Sequence, residues 1–290
     1  MSITSKIIAD SVNPWGIRLT SFILTYSRYI HSEIGTHRVF SRSSASSRAI
    51  PFKKSVEAVM TDPAIPVQWG VTARGMQSKT SLEGDAAEQA RAAWLSARDD
   101  AVKNAEAIFE KHKLHKQLIN RLLEPWAHMT TLLTGTEFHN FFALRASPEA
   151  QPEFAALAFK MLSRYLSSTP KQLAWGGYHV PFGDRTEGLD MGIQLKVATA
   201  RAARVSYLTF EGDASVEDDC RLHDQLLESG HMSPFEHAAQ AKQDATPSNF
   251  GAHSGWNQYR KQFPLETKRD VDLKAILATK PSWIDLEDGE

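Results

Sequence analysis

Between Thr36 and Pro51 the chain carries Arg38, Arg42 and Arg48, a single histidine at His37 and five serines, with no carboxylate among sixteen residues. Guanidinium forks match phosphate oxygens in bidentate geometry, and serine hydroxyls fill the acceptor positions that remain. Such a stretch can receive phosphate; it can equally be a basic loop that faces water. No G-x-G-x-x-G follows a strand pattern and no G-x-x-x-x-G-K-[ST] occurs, so the glycine-rich phosphate loops are absent. A nucleotide bound by this chain would have its phosphates held by arginine and serine side chains.

Other residues offer chemistry of their own. Arg121 and Arg145 lie in helical patterns rich in large apolar residues. A buried guanidinium is costly without an anion, so each requires either a carboxylate of the fold or a ligand phosphate or carbonyl. His231 and His237 flank Glu236, but a spacing of six puts them on opposite sides of a helix and Pro234 interrupts it, so no metal is expected there. Cys220 is the only cysteine, which excludes an internal disulfide and a multi-cysteine zinc site. Its neighbours Asp218 and Asp219 raise a thiol pKa, which makes it a bystander rather than a nucleophile. Trp256, Tyr259, Arg260 and Lys261 mix aromatic and basic groups, as a base-stacking platform does and as amphipathic surface packing also does.

The elements that must position these groups follow from periodicity. Residues 18 to 31 read as a strand running into a short helix just before the basic stretch. From 50 to 83, prolines and glycines without period predict a long irregular connection. Gly84-Asp85 opens a helix whose alanines, with Trp94 and Ile108, recur by threes and fours, a face suited to close approach of a helix or subunit. Further helices are predicted over 114–124, ended by Pro125, over 136–146, and from the Ser147-Pro148-Glu149 cap to Leu166, distorted by Pro152. After the loop-rich 168–190, a new unit starts near 191; Ser215 caps a helix that Gly230 stops. An acidic tail ends the chain at Asp285, Glu287, Asp288 and Glu290.

Charge narrows the classes. Lys+Arg total 33 against 34 Asp+Glu, which speaks against a nucleic-acid coat or a membrane surface. Residues 1–60 hold eight basic side chains against three acids, whereas 211–229 hold seven acids and one arginine, an asymmetry that fits a local anion site. No apolar run approaches the roughly 18 residues a bilayer span needs, and no signal-peptide layout is present, so a cytoplasmic protein is expected.

Three blocks together resemble the flavin-dependent thymidylate synthases, whose hallmark is Arg-His-Arg, seven residues, Ser, and Arg two residues on. Thr36-His37-Arg38 is followed by Ser46 and Arg48 at that spacing. Gly230 to His237 resembles the family's Gly-His-x-[ST]-Pro-Phe-Glu-His, preceded by Ala203 to Tyr207 as Ala-Arg-Val-Ser-Tyr; Arg121 with Pro125, Asn140 to Arg145 and Ala150 to Glu153 resemble a third block. In ordinary members the Ser-Pro-Phe-Glu-His block precedes the Arg-His-Arg block, so the chain is similar to a permuted, phage-type relative. Thr36 replaces the first arginine of the hallmark, Glu33 replaces a glutamine, Ser43-Ser44 an Asn-Glu pair, and Thr136 an arginine.

The resemblance implies an α+β fold with a small antiparallel sheet and long helices, in one elaborated domain (motif and loop 1–83, helical part 84–167, remainder 168–290). It implies a homotetramer with a shared site, bound flavin adenine dinucleotide (FAD), methylenetetrahydrofolate as carbon donor, NADPH as reductant, and a deoxypyrimidine monophosphate substrate. By position, His37, Arg38, Asn140, Ser233 and His237 would surround the flavin. Ser44, Ser46, Arg48 and Arg121 would hold the nucleotide with Glu33, and Arg145 would contact the pyrimidine, the catalytic pair being Arg145 and His237. Glu33 could instead pair with Arg38 as a structural bridge. A noncatalytic nucleic-acid-binding relative, using the basic amino-terminal region and the Trp256 cluster, is the rival reading, and modification of a base within a polynucleotide is a third.

Overall fold

The computed structural model describes residues 3–244, 253–264 and 272–281. β1 (Thr4–Val12) and β2 (Arg18–Ser27) form an antiparallel hairpin. Asn13 makes its turn: the side-chain oxygen accepts from the Trp15 and Ile17 amides, both at 3.0 Å, and Gly16 takes φ +75°. This is the side-chain-mimicked turn that asparagine favours. A 3-10 turn over Arg28–Ile30 and α1 (His31–Gly35) carry the chain from β2 to β3 (Ser41–Ser44).

Then come α2 (Phe52–Thr61), α3 (Gly84–His112), α4 (Lys116–Ile119) with a 3-10 run over Asn120–Trp126, β4 (His128–Gly135), α5 (Phe138–Arg145) and α6 (Pro152–Ser167). The remainder comprises β5 (Lys171–Gln172), β6 (Tyr178–His179), α7 (Met191–Arg204), α8 (Val216–Ser229), β7 (Ala239–Gln240), β8 (Asn257–Gln258) and α9 (Leu273–Ala278). The acidic tail lies outside the described residues. Among those described, no helix is long and apolar enough to cross a membrane.

The main sheet has the order β3-β4-β2-β1-β5, antiparallel throughout except for the two-residue β5, which pairs parallel at the edge. β6, β7 and β8 form a second, small antiparallel sheet. β2 is central and buried on both faces. By strand alternation, Phe22, Leu24 and Tyr26 join the cluster built with Phe138, Phe154 and Met161 of α5 and α6, while Ile23 meets Ala202 and Phe182 on the other face. The α+β expectation holds, with long helices around a small, mainly antiparallel sheet.

Several local expectations need correction. The 50–83 connection contains α2, whose apolar residues (Phe52, Val56, Val59) pack on α3 and the Asn120–Trp126 run, and only its second half is irregular. The 114–124 helix is a short α-turn continued as 3-10, with Pro125 inside rather than beyond it. Pro152 does not distort a helix begun at Ser147: it occupies the first turn of α6, capped by the Gln151 side chain, where proline lacks nothing. In α3 only Val102 and Ala105 are fully buried, so most of the alanine face is not covered within this chain.

At the end of β4 a Cβ on Gly135 would come within 2.5 Å of the Phe40 ring. Phe40 in turn stacks on Phe138 at 4.8 Å, deep in the core. Gly135→Ala is therefore expected to destabilise the fold by about 1–3 kcal/mol through overpacking, read as a lower denaturant midpoint; an unchanged midpoint would show that Phe40 can move aside.

Candidate functional site

The site is built around β3, at the edge of the sheet next to β4. Alternation along β3 sends Ser41 and Ser43 into the interior and leaves Arg42 and Ser44 half-buried on the opposite side. Arg42 donates from Nη1 to the carbonyls of Ile34, Gly35 and His37, closing the carboxyl end of α1 with a cation, where the helix dipole favours one. The Ser44 hydroxyl lies 2.9 Å from that of Thr131, its partner across the β3–β4 ladder. Beyond β3 the chain turns, the Ser46 amide donating to the Ser206 carbonyl at 3.0 Å, and Arg48 projects into solvent.

The other wall comes from more than a hundred and fifty residues away in the chain, and an ion triad fixes it. Asp219 of α8, 1% exposed at its side chain, accepts from Arg201 Nε and Arg204 Nε of α7, both at 2.8 Å. The rest of the Arg201 fork donates to the carbonyls of Phe210, Gly212 and Ala214. Ser215 caps α8 and Gly230, at φ +77°, ends it in the left-handed conformation that glycine permits, so the chain turns at once into the Ser233–Glu236 turn.

Between these walls lies a cleft of about 990 Å³ lined by Ser44, Ser46, Arg48, Arg204, Tyr207 and Ser233 among others. Arg42 and Lys116 also reach it, and among the described residues no carboxylate does. Its chemistry is that of an anion receptor: guanidinium and ammonium donors, several hydroxyls and no competing acid. Arg48 has no hydrogen-bond partner among the described residues, whereas Arg204 is tethered at Nε by Asp219 and Lys116 donates to the Ala49 carbonyl. Ser44, Ser46 and Arg48, expected at the nucleotide, and Ser233, expected at the flavin, all line this one cleft. Arg204 and Lys116 are additions; Arg204 stood inside the quoted Ala-Arg-Val-Ser-Tyr block, while nothing local marks Lys116.

His237 does not face this cleft. It is 1% exposed beneath β3, with Nε2 at 2.9 Å from Ser43 Oγ and Nδ1 at 2.9 Å from Thr134 Oγ1. Both ring nitrogens are engaged within the fold, and the residue ties the Ser-Pro-Phe-Glu-His block to the motif strand. Thr134 continues to Ser21, and Ser21 to His179, which is fully buried and also bonded to Ser11.

Burial holds His179 and His237 down to about 3, reinforced by His237 and His253 respectively. In the unfolded chain both take up protons near pH 6.5, but the fold resists until far lower. The stability they contribute is complete above about pH 6.5 and is lost as pH falls toward 3. The denaturant midpoint is expected to fall between about pH 7.5 and pH 5, and less steeply in His237→Gln; equal midpoints at the two pH values would contradict this.

The remaining expected site residues distribute differently. His37 and Arg145 meet: Arg145 donates from Nε to His37 Nε2 at 3.0 Å and lies over the Phe154 ring at 4.8 Å. Among the described residues, Arg145 pairs with no carboxylate. Burial first, then Arg145 and Arg42, holds the His37 pKa below its ordinary value, so the ring is a neutral acceptor. Arg38 and Asn140 are exposed, and Glu33 is half-buried without the bridge to Arg38.

Arg121 does not line the cleft that holds Ser46 and Arg48. It pairs with Glu124, which also holds Arg28, at the edge of a second cavity of about 720 Å³ that takes in His31, Gln151 and Glu153. The Trp256 cluster is no stacking platform: Trp256 and Tyr259 are buried, the indole donating to the Ile17 carbonyl and the phenol bonded to His223. Burial pushes the Cys220 thiol up, with acidic neighbours adding to it, in keeping with an unreactive side chain.

Among solved structures, the chain is similar to the UMP/dUMP methylase PolB from Streptomyces cacaoi bound with 5-Br UMP (TM-score 0.43, 11% identity, over 57% of this chain and 88% of that one). It is also similar to the flavin-dependent thymidylate synthase ThyX from Helicobacter pylori complexed with FAD and dUMP (TM-score 0.34, 18% identity, over 50% of this chain and 67% of that one). No curated protein matches the sequence. The family model for thymidylate synthase complementing protein matches residues 17–171, a span that includes β2, the Thr36–Pro51 stretch, Arg121 and the Asn140–Arg145 block. The Ser-Pro-Phe-Glu-His block lies beyond that span in sequence but against β3 in space, and with the match covering more than half its length, the chain belongs to the thymidylate synthase complementing protein family.

Proposed function

We propose that this protein transfers a one-carbon unit to C5 of a deoxypyrimidine monophosphate, deoxyuridylate first among them, using bound FAD, methylenetetrahydrofolate and NADPH. The observation that carries the reading is the basic cleft, lined by no carboxylate among the described residues, in which Ser44, Ser46 and Arg48 of the motif stretch meet Arg204, Tyr207 and Ser233 from blocks the sequence places far away. Family membership supports the reaction class.

Ser46 and Arg48 bind the nucleotide phosphate: an exposed guanidinium without a protein partner gains most from a charge-assisted bond to it. Arg145 supplies positive charge near the ring, where negative charge develops on a carbonyl oxygen as C5 becomes nucleophilic. Its orientation is set by His37 and the Phe154 face. His237 holds β3 in register beneath the cleft.

Outside the cleft lining, exposed Arg38 and Asn140 near His37 offer a cation, an amide and an imidazole to a ligand that carries phosphates, and FAD is such a ligand. Arg38, Asn140 and Ser233, all exposed, would hold it together with His37, and it would supply hydride delivery. Reconstitution with FAD should give a yellow protein with a flavin absorbance band that survives gel filtration. Protein that emerges colourless would overturn the flavin assignment.

A further inference from the structure

Ser44 opens a string of hydroxyls that leaves the basic cleft and crosses the sheet. From Ser44 Oγ it runs 2.9 Å to Thr131 Oγ1 on β4, 2.7 Å to the Tyr26 hydroxyl on β2, and 2.8 Å to His31 Nδ1. Tyr26 and Thr131 are fully buried, and each uses its two neighbours in the string as its side-chain partners. The ends are open: Ser44 lines the basic cleft and His31 lines the second cavity. A buried tyrosine or threonine needs one partner to be satisfied. This string continues at both ends until it reaches a cavity.

We propose that Ser44, Thr131, Tyr26 and His31 form a proton relay that carries the proton released at the pyrimidine ring out of the basic cleft and into the second cavity. The proposal rests on reading that cleft as the pyrimidine nucleotide site. Replacement of hydrogen by a one-carbon unit at C5 breaks the C–H bond, leaves its electron pair on the ring and requires one proton to depart. In the resting orientation Tyr26 donates to His31 Nδ1, Thr131 to Tyr26 and Ser44 to Thr131, so the free lone pair of Ser44 faces the cleft. When Ser44 Oγ takes up the ring proton, its own proton passes to Thr131, that of Thr131 to Tyr26, and that of Tyr26 to Nδ1. Each hydroxyl again holds one proton, and the imidazolium at His31 discharges from Nε2 to water.

The surroundings keep His31 able to accept. Arg28 and Arg42 face it, and burial followed by these two cations lowers its pKa from the usual histidine value. Arg121, Glu124 and Glu153 line the cavity into which it discharges. Turnover carried by this route falls as pH drops through the His31 pKa.

The test uses deoxyuridylate deuterated at C5, the full chain reconstituted with FAD and supplied with methylenetetrahydrofolate and NADPH, and the rate of label loss across pH. Tyr26→Phe and Thr131→Val remove one hydroxyl each and should lower kcat by roughly a hundredfold with little change in KM. Thr131→Ser, which restores a hydroxyl, should recover most of the rate, and His31→Gln should abolish the acidic limb of the kcat profile. Denaturant midpoints identify a variant that has merely lost its fold. Tyr26→Phe with the kcat and pH profile of the unaltered protein would overturn the relay alone. Unaltered protein that binds the nucleotide yet releases no label would overturn the reaction assigned to the cleft, and the relay with it.

Discussion

Arg48→Ala should weaken nucleotide monophosphate binding by roughly ten- to hundredfold, the loss expected when one charge-assisted phosphate contact disappears. The side chain is exposed and makes no hydrogen bond to a described residue, so its removal should leave the denaturant midpoint unchanged. That separation is diagnostic. Arg42, in the same cleft, holds three carbonyls at the end of α1, and Arg204 is tied to Asp219, so losing either disturbs structure as well as charge. Isothermal titration with deoxyuridylate provides the readout. Unchanged affinity in Arg48→Ala would remove the phosphate from this part of the cleft.

The largest stability effect is expected at Asp219. Its carboxylate is almost wholly enclosed and neutralises two guanidiniums, that of Arg201 being buried as well. Asp219→Asn keeps the shape but leaves two cations without their counter-charge, and removing one partner of a buried ion pair costs about 3–5 kcal/mol. The damage should spread to function, because Arg204 lines the cleft and α7 and α8 carry its wall. A large fall in denaturant midpoint with a parallel loss of nucleotide binding is expected. A midpoint unchanged from that of the unaltered protein would mean that the carbonyls of Phe210, Gly212 and Ala214 alone hold Arg201.

What was legible in the sequence depended on how local its physical cause is. The end of β2 and the caps of α8 are written in nearby residues: alternation for the strand, Ser215 and Gly230 for the helix. β1 was not anticipated because its half-buried, polar-rich residues gain their place only by pairing with β2. α2 was missed because the prolines and glycines around it dominate the pattern, while its Phe52 and Val59 acquire meaning only against Phe109 and Leu123.

The same division runs through the site. The spacing of Ser46 and Arg48, and the block ending at His237, could be read as motifs. That His237 would be enclosed under β3, that Arg121 would sit in another cavity, and that Tyr26 and Thr131 would join two cavities depend on sheet register and on packing between distant segments. Trp256 shows the limit of composition as a guide, since an aromatic beside basic residues proved to be core, fixed by a bond to the Ile17 carbonyl.

The central claim is one-carbon transfer to a free deoxypyrimidine monophosphate bound in the basic cleft. It is tested most directly by incubating FAD-loaded protein with methylenetetrahydrofolate, NADPH and, in separate reactions, deoxyuridylate or deoxycytidylate, then weighing the recovered nucleotide by mass spectrometry. Deoxyuridylate should gain one methyl group in place of one hydrogen, and Arg48→Ala should need a higher nucleotide concentration to do so. Deoxyuridylate and deoxycytidylate both recovered at their original masses, from protein that carries flavin and binds them, would contradict it.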